Sequence, residues 1–177
     1  IWTKRKKFYP GLEVSLMMNS GSFGDAMEKL NKYKLVQVIE DVCDRKIPFL
    51  GICLGLQLLF KSSDESKGVP GLGILDGEIV RIPDEPGLKI PHIGWNSLEF
   101  TRESKLFKYI NNGDHVYFVH SFYGADCEES VIATSEYGVE LTAAVSKDNI
   151  YGCQFHPEKS GEVGLKILKA FSEGVNG

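Results

Sequence analysis

The chain has 177 residues, of which 42% are hydrophobic and 25% are charged, and its formal net charge is -4. This balance predicts one compact domain over 1–177 with a sizeable core, and it argues against a nucleic-acid surface, since the one basic run is Lys4 to Lys7. No apolar stretch approaches the ~20 residues of a membrane-spanning helix, so no contact with a membrane is expected.

Hydrophobic patterns predict strands and helices in alternation over the first third of the chain. Leu12 to Met18 is predicted as a strand, and Asp25, after Gly24, is predicted to cap a helix. That helix is predicted from apolar positions at roughly helical spacing: Met27, Leu30, Leu35, Val38, Ile39 and Val42. A buried strand then leads into a helix from Leu54 to Phe60.

Short strands dominate the rest of the pattern. Asp76-Gly77, between apolar segments at 73–75 and 78–80, predicts a two-residue hairpin. Strands are expected near 92–100, 114–120, 130–135, 140–146 and 149–155, a helix at about 103–110, and a closing amphipathic helix through Leu168 and Phe171. The whole order predicts an α/β fold in three layers, with a mostly parallel sheet, helices on both faces and an antiparallel portion.

A cysteine flanked by glycines stands where the strand ending near Leu50 meets the next helix. The segment Gly51-Ile52-Cys53-Leu54-Gly55 is typical of a nucleophile elbow, a tight strand-to-helix turn in which only small neighbours fit. A thiol at a helix N-terminus is also favoured as thiolate, the attacking form. A lone cysteine at such a turn is more often a small core residue. The two glycines favour the nucleophile, because packing alone seldom demands both.

A base for this nucleophile is predicted far downstream, in Gln154-Phe155-His156-Pro157-Glu158. Residues two apart in extended chain point to the same side, so Glu158 can orient His156 while His156 takes the proton from Cys53. A lone His-Pro-Glu is usually just a turn. Together with the elbow, it predicts a catalytic triad of Cys53, His156 and Glu158.

The remaining cysteines and histidines form no second motif. The four cysteines, at 43, 53, 127 and 153, show neither Cys-x-x-Cys pairs nor the spacing of a disulfide scaffold, which indicates a reducing cytoplasm. The four histidines make no metal-ligand pattern, so we expect no metal and no cofactor. His115 and His120 lie in an apolar run and are expected to be packed.

These motifs resemble those of the class I, triad-type glutamine amidotransferases. Two further segments, Pro91 to Asn96 and Tyr117 to Tyr123, are similar to the glutaminase subunits of imidazole glycerol phosphate synthases, which act in histidine biosynthesis. The resemblance runs from about Gly21 to Phe171. It implies that glutamine is hydrolysed through a Cys53 thioester to glutamate and ammonia. It also implies a heterodimer in which a barrel-type cyclase subunit receives the ammonia to make imidazole glycerol phosphate and AICAR.

The resemblance implies the other site residues as well. The Leu54 N–H would be one oxyanion donor; the family's Pro-Gly-Val-Gly loop supplies the second, and here only its last glycine, Gly21, is retained. The amino-acid part of glutamine would be held by Gln57, Glu65 and Ser121. The cyclase would be contacted by Pro91, Ile93, Trp95 and Asn96. The plainer alternatives are a solvated helix end for Glu65 and a core position for Trp95.

The chain departs from the family pattern at its start. The family's opening strand is not recognisable in Ile1 to Gly11, so the chain is expected to be a fragment or to have an altered N-terminus, with 1–18 as an atypical start. Other functions stay open on the residues alone. They are the glutaminase of another amidotransferase, a γ-glutamyl hydrolase, and a non-catalytic remnant or interaction subunit.

Overall fold

The computed structural model describes the backbone of Val14–Met18 and residues 21–174. In chain order its strands are β1 (Val14–Met18), β2 (Phe49–Cys53), β3 (Glu78–Arg81), β4 (His92–Ser97), β5 (Glu99–Phe100), β6 (His115–His120), β7 (Phe122–Ala125), β8 (Val131–Tyr137), β9 (Val139–Lys147) and β10 (Ile150–Cys153). The α-helices are α1 (Phe23–Lys32), α2 (Leu35–Asp44), α3 (Leu54–Gln57) and α4 (Gly161–Gly174). Short 3-10 turns lie at Asp64–Ser66, Lys105–Phe107 and Pro157–Lys159.

Six of the described strands form a mixed sheet in the order β1-β2-β10-β9-β8-β5. The pairs β1-β2 and β2-β10 are parallel, and the three pairs from β10 to β5 are antiparallel. Two separate ribbons, β3-β7 and β4-β6, are antiparallel. The predicted α/β fold with an antiparallel portion is confirmed, and that portion is larger among the described strands than the sequence suggested.

Helices cover both faces of this sheet, as predicted. One core cluster joins α1, α2 and α3 to the face that carries Phe49 of β2. The other joins α4 to the opposite face, which carries Leu50 and Ile52. Because successive strand residues point to opposite faces, β2 is buried on both sides and lies in the centre of the fold. Its last residue, Cys53, is therefore held at an edge of the central layer.

The predicted first helix is two helices. Its N-cap is Ser22 rather than Asp25; Asp25 lies one turn later and completes a capping box with Ser22. The helix ends at Lys32 because Lys34 adopts a left-handed backbone with φ 55°, which cannot continue an α-helix. The chain then restarts as α2. Val38, predicted on the apolar face, is 43% exposed.

The predicted helix from Leu54 to Phe60 and the predicted hairpin at Asp76-Gly77 are both wrong, for one reason. The segment 71–75 donates its backbone N–H groups to the carbonyls of residues 58–61, so α3 stops after four residues. The same bonds prevent 73–75 from pairing with β3, which pairs with β7 instead. The predicted helix at 103–110 is only the 3-10 turn Lys105–Phe107.

The later strands and the closing helix lie where the sequence predicts them. The strands near 92–100, 114–120, 130–135, 140–146 and 149–155 and the closing helix are confirmed. The part of the predicted first strand that the structure describes is β1; the atypical start at 1–13 and the residues 19–20 lie outside the described residues. Within the described part of the chain, no helix is long and apolar enough to cross a membrane.

Candidate active site

Cys53 stands at the junction of β2 and α3. Its backbone, with φ 53° and ψ -112°, lies in a region that residues with a side chain rarely adopt. A Cβ added to Gly51 would lie 2.6 Å from the Gly55 carbonyl oxygen, so the two glycines pack backbone against backbone. Strained backbone of this kind persists where the surroundings over-determine it, as in active sites. The turn therefore has the geometry of a nucleophile elbow.

We expect Gly51→Ala to lower both stability and activity, because the new methyl would collide with backbone that cannot move away. Overpacking of this kind costs about 1–3 kcal/mol of unfolding free energy. The measurement is urea unfolding together with glutamine hydrolysis. Gly174→Ala is the matched control, since an added Cβ there meets no atom within 4 Å. Equal stability and equal activity of Gly51→Ala and Gly174→Ala would contradict the packing argument.

His156 and Glu158 form a hydrogen-bonded pair just beyond β10. The distance from His156 Nδ1 to Glu158 Oε1 is 2.7 Å, and the two side chains are 4% and 27% exposed. Because a carboxylate accepts, Nδ1 carries the proton of this bond, and Nε2 is left to serve Cys53. This is the pairing that the sequence predicted for the base and its orienting carboxylate.

The backbone of β6 holds this segment beside the thiol. The His156 N–H donates to the Tyr117 carbonyl at 2.9 Å, and the Tyr117 N–H donates to Ser160 Oγ at 2.9 Å. Two residues further along β6, the Val119 carbonyl lies 3.9 Å from Cys53 Sγ. Strand β6, which pairs with β4, thus contacts both the segment of the base and the nucleophile. Ser160 was missed as a site-supporting residue, although it directly follows the His-Pro-Glu-Lys run.

The pKa of His156 is raised to about 9. Burial lowers it, but hydrogen bonds to Cys53 and Glu158, and their charges, raise it by more. At neutral pH the His156 ring is therefore the charged imidazolium, with hydrogen on both nitrogens. This is the state needed to protonate a leaving amine.

This shift predicts a pH-dependent stability. A group whose pKa rises on folding stabilises the fold fully below its unfolded value of 6.5, and that contribution is lost as pH rises through about 9. The unfolding free energy of the wild type should therefore approach that of Glu158→Gln between these two values. Urea unfolding of both proteins across this range is the measurement. If the difference in unfolding free energy between the wild type and Glu158→Gln stayed constant or widened with rising pH, the raised pKa of His156 would be contradicted.

One glutamine side chain lies beside the thiol, and a second glutamine is hydrogen-bonded to the first. Gln154 Nε2 is 3.8 Å from Cys53 Sγ, and Gln57 Nε2 donates to Gln154 Oε1 and to the Phe122 carbonyl, both at 3.1 Å. Gln57 was predicted to bind substrate. Its amide nitrogen is engaged within the protein, so only its oxygen is left for a ligand. Gln154 was overlooked as a site residue, although it begins the predicted base motif.

Known proteins resemble this chain over nearly its whole length. The model of the class I glutamine amidotransferase family matches residues 5–173. The imidazole glycerol phosphate synthase subunit HisH of Bacillus cereus is 51% identical over 156 residues, which are 88% of this chain and 73% of that protein. The protein of the same name from Listeria innocua is 48% identical over 153 residues, 86% of this chain and 73% of that protein.

This chain belongs to the class I glutamine amidotransferase family. Solved structures agree with the fold of this amidotransferase. A glutamine amidotransferase structure superimposes with a TM-score of 0.67 at 19% identity, over 92% of this chain and 79% of the other. A glutamine amidotransferase from Thermotoga maritima gives a TM-score of 0.58 at 24% identity, over 90% and 61%. These identities speak for the fold alone.

The oxyanion donors of this amidotransferase remain predictions. Leu54 is the first residue of α3, so its N–H has no acceptor within the helix. Gly21 is exposed, with φ 112°, a conformation that suits glycine. Met18 pairs with Cys53 across β1 and β2, so β1 ends beside the residue that carries the thiol.

The other predicted glutamine-binding residues lie in two places. One Glu65 oxygen accepts from the Phe23 N–H at 2.6 Å, at the first residue of α1, and Ser66 Oγ accepts from the Gly24 N–H at 2.9 Å. Glu65 is exposed, but its carboxylate is bound to the N-terminus of α1. Ser121 is half-buried between β6 and β7, and its carbonyl accepts from the Ile82 N–H.

The predicted partner-contact segment carries an exposed apolar face. Ile93 and Trp95 are 58% and 56% exposed, which excludes the core alternative for Trp95. They stand opposite Val119 and Tyr117 across the β4-β6 ribbon. Pro91 is exposed just before β4, whereas Asn96 is half-buried and donates to the Glu136 carbonyl. Trp95 makes an edge contact with Tyr117, whose backbone holds His156.

The other cysteines of this amidotransferase are poor nucleophile candidates. Burial raises the pKa of the Cys43, Cys127 and Cys153 thiols, which disfavours their thiolates. His120 is buried as expected, but His115 is exposed, so its predicted packing is wrong. In the described residues, no group of three or more His, Cys, Asp or Glu side chains could hold a metal ion.

Proposed function

We propose that this chain is the glutaminase subunit of an imidazole glycerol phosphate synthase. The main observation is the 2.7 Å hydrogen bond between buried His156 and the more exposed Glu158, beside a cysteine held at φ 53° on a strand-to-helix turn. The choice of synthase is supported by relatives of that name at 44–51% identity. Glutamine is the proposed substrate.

The proposed reaction has two steps, in which bonds are exchanged at one carbon. The Cys53 sulfur attacks the carboxamide carbon of glutamine, and N–H donors from Leu54 and Gly21 stabilise the oxyanion that forms. The carbon–nitrogen bond breaks as His156 gives its proton to the nitrogen, which leaves as ammonia. Water, deprotonated by His156, then displaces sulfur from the glutamyl thioester and releases glutamate.

Glu158 orients His156 and stabilises its charged form throughout. In the substrate complex we assign the Glu65 carboxylate and the Gln57 oxygen to the ammonium group of glutamine, since both are acceptors. Ser121 is assigned to the substrate carboxylate, together with backbone donors near it. A reducing cytoplasm suits this chemistry, because it keeps the Cys53 thiol free.

The proposed partner is a barrel-type cyclase that receives the ammonia, bound as a heterodimer. The exposed apolar side chains of β4, Ile93 and Trp95, with neighbouring Pro91 and Asn96, are the proposed contact. Aromatic side chains are enriched at the energetic centres of such interfaces. Since Tyr117 contacts Trp95 and also binds the His156 backbone, the proposed contact lies next to the catalytic base.

The test is glutamine hydrolysis, measured as glutamate released, with and without the cognate cyclase subunit. We expect a low basal rate and a large increase when the cyclase is present. Stimulation by a different ammonia-accepting synthase, or equal hydrolysis of γ-glutamyl peptides, would contradict the assignment to this synthase. No hydrolysis under any condition would support a non-catalytic subunit.

A further inference from the structure

Two buried histidines lie behind the candidate active site and take no part in the proposed reaction. His92 on β4 and His120 on β6 are 2% and 5% exposed. The His92 ring stacks between Phe118 and Tyr137, with centroid distances of 4.7 Å and 4.0 Å. Polar groups buried this deeply are costly unless they are hydrogen-bonded, so their partners define what they do.

The hydrogen bonds of the pair allow a single arrangement of protons. His120 Nδ1 is 2.8 Å from the Phe122 carbonyl, which can only accept, so that nitrogen carries hydrogen. His120 Nε2 then accepts from His92 Nδ1 at 3.1 Å, and His92 Nε2 accepts from the Asn96 amide at 3.4 Å. Both rings are thereby assigned as the neutral Nδ1–H tautomer.

A proton added to either ring would point at another donor. Protonated His120 would direct a second N–H at the N–H of His92, and protonated His92 would direct one at the Asn96 amide. Burial lowers the pKa of both histidines to about 4, in keeping with neutral rings.

The chain of bonds continues from Phe122 to the nucleophile. The Phe122 carbonyl also accepts from Gln57 Nε2, which fixes the direction of the Gln57 amide. The second Gln57 N–H goes to Gln154 Oε1, and this leaves Gln154 Nε2 directed at the Cys53 sulfur. The Phe122 carbonyl orients the Gln57 amide, and the Gln57 amide orients that of Gln154. His120 donates to the same carbonyl and so holds it in place.

We propose that His92 and His120 are positioning residues whose relay orients the Gln57 and Gln154 amides, so that one N–H is directed at the Cys53 sulfur. The inference rests on the proposed function, because it assigns that sulfur as the nucleophile. The relay acts on the thiol only through the Phe122 carbonyl and the two amides. A donor that approaches sulfur stabilises its negative form, which links the relay to reactivity.

The tautomers are tested directly on the wild-type chain. Long-range nitrogen–proton NMR correlations of the histidine rings at neutral pH distinguish Nδ1–H from Nε2–H and from the charged ring. We expect His92 and His120 both to show the Nδ1–H pattern. An Nε2–H tautomer or a charged ring at either position overturns the relay, and this result requires neither a variant nor glutaminase turnover.

The effect on the thiol is tested by the rate at which iodoacetamide alkylates Cys53, followed by peptide mass spectrometry. His120→Leu removes the donor to Phe122 and should slow alkylation about tenfold, the scale expected for one lost hydrogen bond. His120→Asn keeps an amide N–H near the Nδ1 position and should stay within about twofold of the wild type. His115→Leu, at an exposed position of the same strand, is the control and should not change the rate.

The outcomes separate this inference from the proposed function. Slow alkylation of Cys53 in His120→Leu, together with a rate near that of the wild type in His120→Asn, supports the relay. This holds even if the wild type hydrolyses no glutamine. Equal rates in the wild type and His120→Leu overturn it. So do Leu and Asn variants that are equally slow, since that pattern reports a structural role only. If His120→Leu does not fold, the Asn variant and the NMR tautomers still decide the question.

Discussion

Replacing Cys53 or His156 by alanine should remove most partner-stimulated glutamine hydrolysis, by about 10⁴–10⁶-fold in kcat. The double variant should be no slower than either single one, because the nucleophile and its base act as a unit. Glu158→Gln should cost roughly a hundredfold less, since Glu158 orients the base and does not attack. Steady-state kinetics with the cyclase present gives all four rates.

Chemical labelling provides the independent check. An electrophilic analogue of glutamine should modify Cys53, which mass spectrometry of the labelled peptide can identify. Cys43→Ala is the matched control: the residue is a half-buried free thiol on α2, and its loss should leave both rate and labelling unchanged. Label found on Cys43, Cys127 or Cys153 in its place would contradict the assignment, as would single and double variants whose losses add.

Trp95→Ala should weaken binding of the cognate cyclase about 30-fold or more. An interface centre of this kind contributes at least about 2 kcal/mol on truncation, and Trp95 already exposes 56% of its surface for contact. The stimulated glutaminase rate at limiting cyclase should fall in parallel. Isothermal titration calorimetry gives the affinity, and glutamate release gives the rate.

Tyr33→Ala is the control for this experiment. Tyr33 is likewise a large exposed aromatic, at 64%, but it caps the end of α1, away from the β4-β6 ribbon. Its loss should alter neither affinity nor stimulation. Urea unfolding checks that Trp95→Ala remains folded, since the contact with Tyr117 is also lost. Unchanged affinity and unchanged stimulation in Trp95→Ala would refute the docking role.

Short-range features of the site could be predicted from sequence because their geometry is local. The two glycines around Cys53 are needed by one tight turn, and Glu158 reaches His156 across two residues of the same chain segment. The strands of the second half were predicted for a similar reason, since alternation of apolar residues follows from the pleat itself. The exposure of Trp95 was not decided by its neighbours in sequence, which fitted a core position equally well.

Tertiary structure alone decided features that depend on residues far apart in the chain. The elbow helix stops after four residues because the segment 71–75 takes the next carbonyls, and the same bonds send β3 to pair with β7. The histidine relay joins His92 to His120 and reaches Cys53 through Gln154, a residue 101 positions away from that cysteine. Periodicity and propensity describe what one segment favours by itself. They carry no information about which distant donor meets which acceptor, and those pairings set the strand partners and the orientation of the Gln57 and Gln154 amides.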